Sequence, residues 1–199
     1  LVENADAGTD TVRAATSWIL GDNFENLDLI GAANWRGTGN ALANTLTGNR
    51  GDNVLSGLAG ADDLSGAGGD DILRGGAGRD TLSGGLGQDT LAGSTGNDTL
   101  DGGDDDDILR GGQGNDTLTG GEGDDILIGN AGSDKLTGGA DADTFLYLRA
   151  SDSATTGTAD GIFDFTQGED VIDLRAVVEG EITFLGTAAF TASGVAELR

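Results

Sequence analysis

From Gly48 to Leu146 the chain divides into eleven consecutive blocks of nine residues, a register that constrains the fold more than any other feature. Every block begins with Gly. The fourth position is Gly in nine blocks and Asp in two, Asp105 and Asp141. The sixth position is Asp in ten blocks: Asp62, Asp71, Asp80, Asp89, Asp98, Asp107, Asp116, Asp125, Asp134 and Asp143. Asn53 takes that place in the first block. The eighth position is Leu ten times, from Leu55 to Leu136, and then Phe145. A degenerate block, residues 39–47, keeps Gly39 and Leu46 but has Asn44 at the sixth position. Low-complexity acidic chains do not hold Leu two residues after Asp at a fixed period. A stacked repeat architecture is therefore expected.

The block itself suggests how it stacks. Its first six positions are rich in Gly, Asn and Asp, which tolerate tight turns and positive φ. Its last three, such as Thr-Leu-Ser or Ile-Leu-Arg, read as a very short strand with an apolar centre. One block cannot bury its Leu, but two can if the chain coils so that successive strands face each other. A coil then takes eighteen residues, and each block lies beside the next block but one. This predicts an all-β parallel roll with Leu55, Leu73, Leu91, Leu109, Leu127 and Phe145 on one sheet. Leu64, Leu82, Leu100, Leu118 and Leu136 face them from the second. At ~4.8 Å between strands, five and a half coils make a stack about 25 Å long.

Such a coil is not self-sufficient. One buried Leu contributes roughly 2 kcal/mol, whereas ordering nine residues costs on the order of 10 kcal/mol. Stacking also brings sixth-position carboxylates together, so a cation is needed. Oxygen-only donors in flexible geometry point to Ca²⁺. Each ion is expected between two turns, with one side chain from each. The nine pairs run from Asn53 with Asp71, the weakest, through Asp62 with Asp80, to Asp125 with Asp143. The carbonyls of Gly66, Gly69, Gly75, Gly78, Gly84, Gly87, Gly93, Gly96, Gly111, Gly114, Gly120 and Gly123 are expected to complete the sites, since Gly lets backbone approach an ion. Ten basic residues face 35 acidic ones, a net charge of −25. Nine Ca²⁺ would reduce this to about −7, making the metal part of the fold.

Composition excludes other chemistries. Without Cys there is no disulfide framework or thiol nucleophile. Without His there is no Ser–His–Asp triad and no ordinary zinc site. The net charge repels nucleic acid and anionic membranes, and no apolar run is long enough to span a bilayer.

The blocks resemble the GGxGxDxUx nonapeptide of the RTX, or haemolysin-type calcium-binding, repeat. That resemblance implies a right-handed parallel β-roll of eighteen residues per turn, with the ten sixth-position Asp as side-chain ligands of Ca²⁺. It also implies a secreted, extracellular protein of a Gram-negative bacterium, exported by a one-step type I channel. Asn53 departs from the pattern, as do Asp105 and Asp141, where Gly backbone freedom is lost. Residues 145–174 resemble the segment after the repeats in serralysin-type proteases and alginate-epimerase R-modules, through Asp160, Ile162, Asp164, Phe165, Gly168, Asp170, Ile172, Asp173 and Leu174. Residues 8–31 resemble a stretch found before such arrays.

Three regions are expected. Residues 1–38 form a β cap over the first coil with Trp18 and Trp35 in its core, and residues 39–146 form the roll. Residues 147–199 form a closing β cap that stops short of a secretion tail, with strands near 162–165, 171–174 and 182–185. Asp160, Asp164, Asp170 and Asp173 are candidates for one further Ca²⁺, the alternative being that they cap turns. Val54, Ile72, Ile108 and Ile126 make an apolar stripe on the first sheet, which the C-terminal cap or another domain is expected to cover. No catalytic constellation is present, so the chain is read as a monomeric, non-enzymatic calcium module of a larger protein. Two alternatives stand: a surface or polysaccharide adhesin using Thr81, Thr99, Thr117 and Thr137, or an accessory module of a secreted hydrolase or epimerase.

Overall fold

The computed structural model describes residues 8–152 and 159–175. Its first nine strands are β1 (Thr11–Ala14), β2 (Trp18–Ile19), β3 (Asn26–Leu29), β4 (Arg36–Thr38), β5 (Thr45–Thr47), β6 (Val54–Ala59), β7 (Asp63–Gly68), β8 (Ile72–Ala77) and β9 (Thr81–Leu86). The second nine are β10 (Thr90–Thr95), β11 (Thr99–Asp104), β12 (Ile108–Gln113), β13 (Thr117–Glu122), β14 (Ile126–Ala131), β15 (Lys135–Ala140), β16 (Thr144–Leu146), β17 (Gly161–Ile162) and β18 (Val171–Asp173). Even-numbered strands form one nine-stranded parallel sheet, the first, and odd-numbered strands form the second. Each strand pairs with the next but one, so the chain winds as a β-solenoid of about eight turns, with about 18 residues per turn.

Register follows the repeat. In the first sheet Leu55, Leu73, Leu91, Leu109, Leu127 and Phe145 stand side by side. In the second, Leu64, Leu82, Leu100, Leu118 and Leu136 do the same. All eleven side chains are 0–1% exposed. A one-residue slip would turn every Leu to solvent, which is what holds the register.

The strands are longer than the three residues expected. Each full repeat strand has six, because the second and third residues of the next block also pair. The second position there bends the strand at positive φ: 118° at Gly76, but 84° at Leu58 and 86° at Ser94. Asp105 and Asp141 keep the fourth-position turn by adopting φ of 75° and 76°.

The flanks extend both sheets. Val12 and Leu27 continue the Leu46–Leu64 column, and Ile162 and Ile172 continue the two columns at the other end. Spacing between stacked positions departs from eighteen there, which is why strand content was legible but coil continuity was not. Trp18 and Trp35 pack, half-buried, against the core. Gly37 takes the place of a ladder Leu: a β-carbon there would lie 2.9 Å from Leu55 and 3.0 Å from Leu27. Expected strands near 162–165 and 171–174 are present in shorter form, and the one near 182–185 lies outside the described residues. The 3-10 turn Ala150–Asp152 lies on β14, where Ile128 is buried. Val54, Ile72, Ile108 and Ile126 on the same sheet are half-buried.

Candidate metal centre

Each turn between sheets ends on a sixth-position residue, and the stack brings residues eighteen apart together. The carboxylate Oδ1 accepts the backbone N–H of the sixth-position residue one coil earlier. Asn53 donates to Asp71 at 2.6 Å, Asp62 to Asp80 at 2.9 Å, Asp71 to Asp89 at 2.7 Å and Asp80 to Asp98 at 2.8 Å. Asp89 donates to Asp107 at 2.7 Å, and Asp98 to Asp116, Asp107 to Asp125 and Asp116 to Asp134 at 2.8 Å each. Asp125 donates to Asp143 at 3.1 Å. All nine pairs read from the repeat are thus neighbours, joined through backbone.

The second oxygen carries the chemistry. In all ten repeat Asp it is buried with no hydrogen-bond partner. Burial is the largest cause of upward pKa shifts in these groups. Asp107 is pushed up to about 8; Asp71, Asp116 and Asp125 to about 7; and Asp62, Asp89 and Asp143 to about 6. Asp80, Asp98 and Asp134 are also raised. The backbone N–H bonds oppose the shift, and neighbouring carboxylates add to it in most of these groups, as Asp89 and Asp125 do at Asp107. A column of desolvated carboxylates is unfavourable unless a cation compensates it.

The space beside each orphaned oxygen is kept open by the first-position Gly of its own block. A β-carbon on Gly84 would lie 2.2 Å from Asp89 Oδ2 and 2.6 Å from the Gly102 carbonyl oxygen. The same arrangement joins Gly66 to Asp71 and the Gly84 carbonyl, Gly102 to Asp107 and the Gly120 carbonyl, and Gly120 to Asp125 and the Gly138 carbonyl. On the other turn edge, β-carbons on Gly75, Gly93 and Gly111 would meet Asp80, Asp98 and Asp116 at 2.3–2.4 Å. Fourth-position Gly stack on one another instead: the Gly78 carbonyl faces Gly96, the Gly96 carbonyl faces Gly114 and the Gly69 carbonyl faces Gly87. Gly123 rests against the Asp105 backbone. The carbonyls of Gly102 and Gly138, which sequence reasoning missed, stand beside carboxylates; their blocks carry Asp at the fourth position.

This donor set fits Ca²⁺. It offers hard oxygen from every Asp turn, it leaves an orphaned carboxylate oxygen in ten of the eleven repeat turns, and carbonyls stand across a gap that Gly keeps clear. Among the described residues no three acidic side chains converge into a metal-holding group. Neutral backbone oxygens must therefore fill most of a coordination sphere.

Asn53 differs from the Asp. Its Oδ1 accepts the N–H of Asn49 at 2.6 Å within its own block. Asn44 is self-satisfied: Oδ1 accepts from Asn40 N–H, and Nδ2 donates to the Phe24 carbonyl. Sequence reasoning also missed an exposed fifth-position ladder, which runs the other way. Asp52 accepts from Asp70 N–H, Asp70 from Gln88, Asp106 from Asp124, and Asn97 from Asn115. Its signal in the sequence is the Asp or Asn that precedes so many sixth-position Asp.

The four C-terminal acids do not gather into one site. Asp164 accepts from Gly138 and Gly139 N–H with separate oxygens. Asp170 accepts from Asp143 and Thr166 N–H, and Asp173 is held by Arg175. Asp160 takes the rung position above Asp134.

The sequence model of one family, the RTX calcium-binding nonapeptide repeat in sets of four copies, matches residues 38–73, 56–91, 65–100, 83–118, 110–145 and 119–153. Together these span residues 38–153, more than half the chain. No curated protein matches it. The chain belongs to the RTX calcium-binding nonapeptide repeat family.

Proposed function

We propose that this chain is a calcium-driven folding and stability module of a larger secreted protein. It stays open where Ca²⁺ is scarce, threads a type I export channel as a flexible polymer, and folds outside the cell. In this reading it is not itself an enzyme, and it works as a monomer beside other domains of its parent. The ten repeat Asp supply carboxylate ligands to about nine ions, with Asn53 as the weakest contributor.

The orphaned Oδ2 of the ten repeat Asp carries the reading. Each Asp has two tasks. Oδ1 holds the previous coil's N–H and so fixes the spacing of the coils. Oδ2 faces the gap that the first-position Gly leaves clear. A bound Ca²⁺ supplies the positive charge that offsets burial and mutual repulsion. Until then, a net charge of −25 on a Gly-rich chain favours the extended state. Folding and ion binding are thereby one equilibrium.

Circular dichroism during a Ca²⁺ titration tests this. β signal should rise with a midpoint at roughly 10⁻⁴–10⁻³ M, the range of extracellular modules, and collapse on addition of a chelator. A chain equally ordered with and without chelator would overturn the proposal.

A further inference from the structure

The rung geometry recurs twice past the family match, which ends at residue 153, once at the end of each column: Asp160 beside Asp134 and Asp170 beside Asp143. Strand β17 pairs with β15, setting Gly161 beside Lys135 and Ile162 beside Leu136. Asp160 therefore stands at a sixth position, although 26 residues separate it from Asp134 instead of eighteen. Asp134 N–H donates to Asp160 Oδ1 at 2.9 Å, and Gly161 N–H donates to the Asp134 carbonyl at 2.8 Å. Upstream turns carry the same two bonds, as in Asp98 with Asp116 and Thr117 with Asp98. The irregular spacing hides this rung from any nine-residue pattern.

A second observation points to a ligand. Asp134 is 1% exposed, and its Oδ2 has no hydrogen-bond partner. That oxygen stands in the gap beside Gly129 of its own block, as Asp98 and Asp116 do beside Gly93 and Gly111. The next sixth-position residue on this edge is Asp160. Two groups without counterparts in the repeats adjoin it. Tyr147, buried at 5% exposure, donates its hydroxyl to Asp160. Asp152, also buried, adds a third negative charge while accepting the N–H groups of Leu148 and Arg149. The ion pairs among the described residues, Arg13–Asp28 and Asp173–Arg175, involve none of these acids. Buried like charges of this kind need a cation. The other column ends differently, since Asp170 spends its second oxygen on Thr166 N–H.

We propose that Asp134 and Asp160 hold a further Ca²⁺ beyond the nonapeptides, with Tyr147 as the positioning residue that orients Asp160. The proposal rests on the calcium reading above and carries it to Asp160, outside the family match.

Tyr147 is the one tyrosine of the chain, and both tryptophans lie in the N-terminal coils at the far end of the stack. Terbium, a luminescent substitute for Ca²⁺, is excited by an aromatic ring only at close range, so Tyr147 reports on ions at this end of the stack. The full chain loaded with Tb³⁺ should show tyrosine-sensitised emission that Tyr147→Phe removes. Asp160→Asn should abolish the same component and lower the Ca²⁺ bound at saturation, measured by equilibrium dialysis, by one ion. Tyr147→Phe keeps every carboxylate and, by releasing Asp160, should weaken the last ion in equilibrium dialysis, a readout that stands even if Asp160→Asn does not fold. An unchanged Ca²⁺ isotherm in Tyr147→Phe, or an unchanged ion count in a folded Asp160→Asn, would overturn the site. Either result in a chain that still folds with Ca²⁺ leaves the broader reading standing. A chain whose fold ignores Ca²⁺ would overturn both.

Discussion

Two Gly→Ala substitutions, at Gly84 and Gly68, separate room for an ion from backbone freedom. Neither glycine has positive φ, so Ala is compatible with both backbones. At Gly68 the new β-carbon would find its nearest neighbour 3.7 Å away, an ordinary contact with Leu86. At Gly84 it would stand 2.2 Å from Asp89 Oδ2 and 2.6 Å from the Gly102 carbonyl oxygen. Restoring contact near 3.4 Å requires Oδ2 to retreat by about 1.2 Å and the carbonyl by about 0.8 Å, and Gly102 moves only with its whole turn. Overpacking of this kind costs about 1–3 kcal/mol, and here it also displaces two oxygens assigned to one ion. Gly68→Ala removes unfolded-state freedom instead and should be neutral or stabilising by about 0.5 kcal/mol. Calcium-titrated circular dichroism with equilibrium dialysis reads the difference. Gly84→Ala should shift the Ca²⁺ midpoint upward and bind at least one ion fewer, while Gly68→Ala should overlay the parent. Coincident curves for the two variants would refute the assignment of that gap to an ion.

Acidity should act in opposite directions with and without the ion. Repeat Asp groups are raised in the folded, ion-free roll, to about 8 at Asp107 and about 7 at Asp71, from an ordinary value of 3.8. Protons therefore favour that fold, and the contribution is fully present below the unfolded value and lost as pH rises through about 6–8. A chelator-treated chain should gain β signal on acidification from pH 8 to pH 5, checked by sedimentation to be monomeric. With Ca²⁺ present the midpoint should rise over the same interval, because protons compete for the carboxylates. An ion-free chain equally unfolded at both pH values would contradict the burial of these groups. Leu58, 49% exposed at φ 84°, gains little burial for its strained backbone. Leu58→Gly should stabilise the calcium-loaded roll by about 0.5–1 kcal/mol, read as a melting temperature higher by about 1–4 °C, and a lower one would count against the strain. In chelator, hydrogen exchange should be slower over residues 11–47 than over residues 63–146, because no repeat-type orphaned carboxylate precedes Asp62. Equal exchange in the two stretches would contradict that boundary.

The repeat itself was legible because two demands coincide every nine residues: one apolar side chain to bury and one carboxylate to neutralise. Together they predict register, sheet pairing and the nine neighbouring pairs. Strand length was not legible, because the Gly-rich start of each block reads as turn, whereas parallel neighbours pair with its second and third residues and hold it in the sheet. The flanking coils escaped for another reason. A solenoid requires matched strands, not matched spacing, so 26 residues between Asp134 and Asp160 serve the ladder as well as eighteen. Eight further residues between stacked positions cost little, since closure entropy grows slowly with length.

Asn44 shows what the Asp columns give up in exchange for ion control. Its amide fills a sixth position with no charge to neutralise, and its nitrogen bonds the Phe24 carbonyl from inside the turn. The coils around it bury Val12, Leu20, Phe24, Leu27 and Leu29, so they have apolar surface in place of an ion. From Asp62 onward each half-turn buries one Leu and one unpartnered carboxylate oxygen. At roughly 2 kcal/mol for each Leu, the apolar term does not cover the ordering of nine Gly-rich residues. An Asn in every sixth position would relieve the repulsion but leave the fold indifferent to Ca²⁺. In the proposed reading the Asp column makes ordering conditional on a divalent ion, and the apolar N-terminal coils offer the first conditional turn an edge to stack upon.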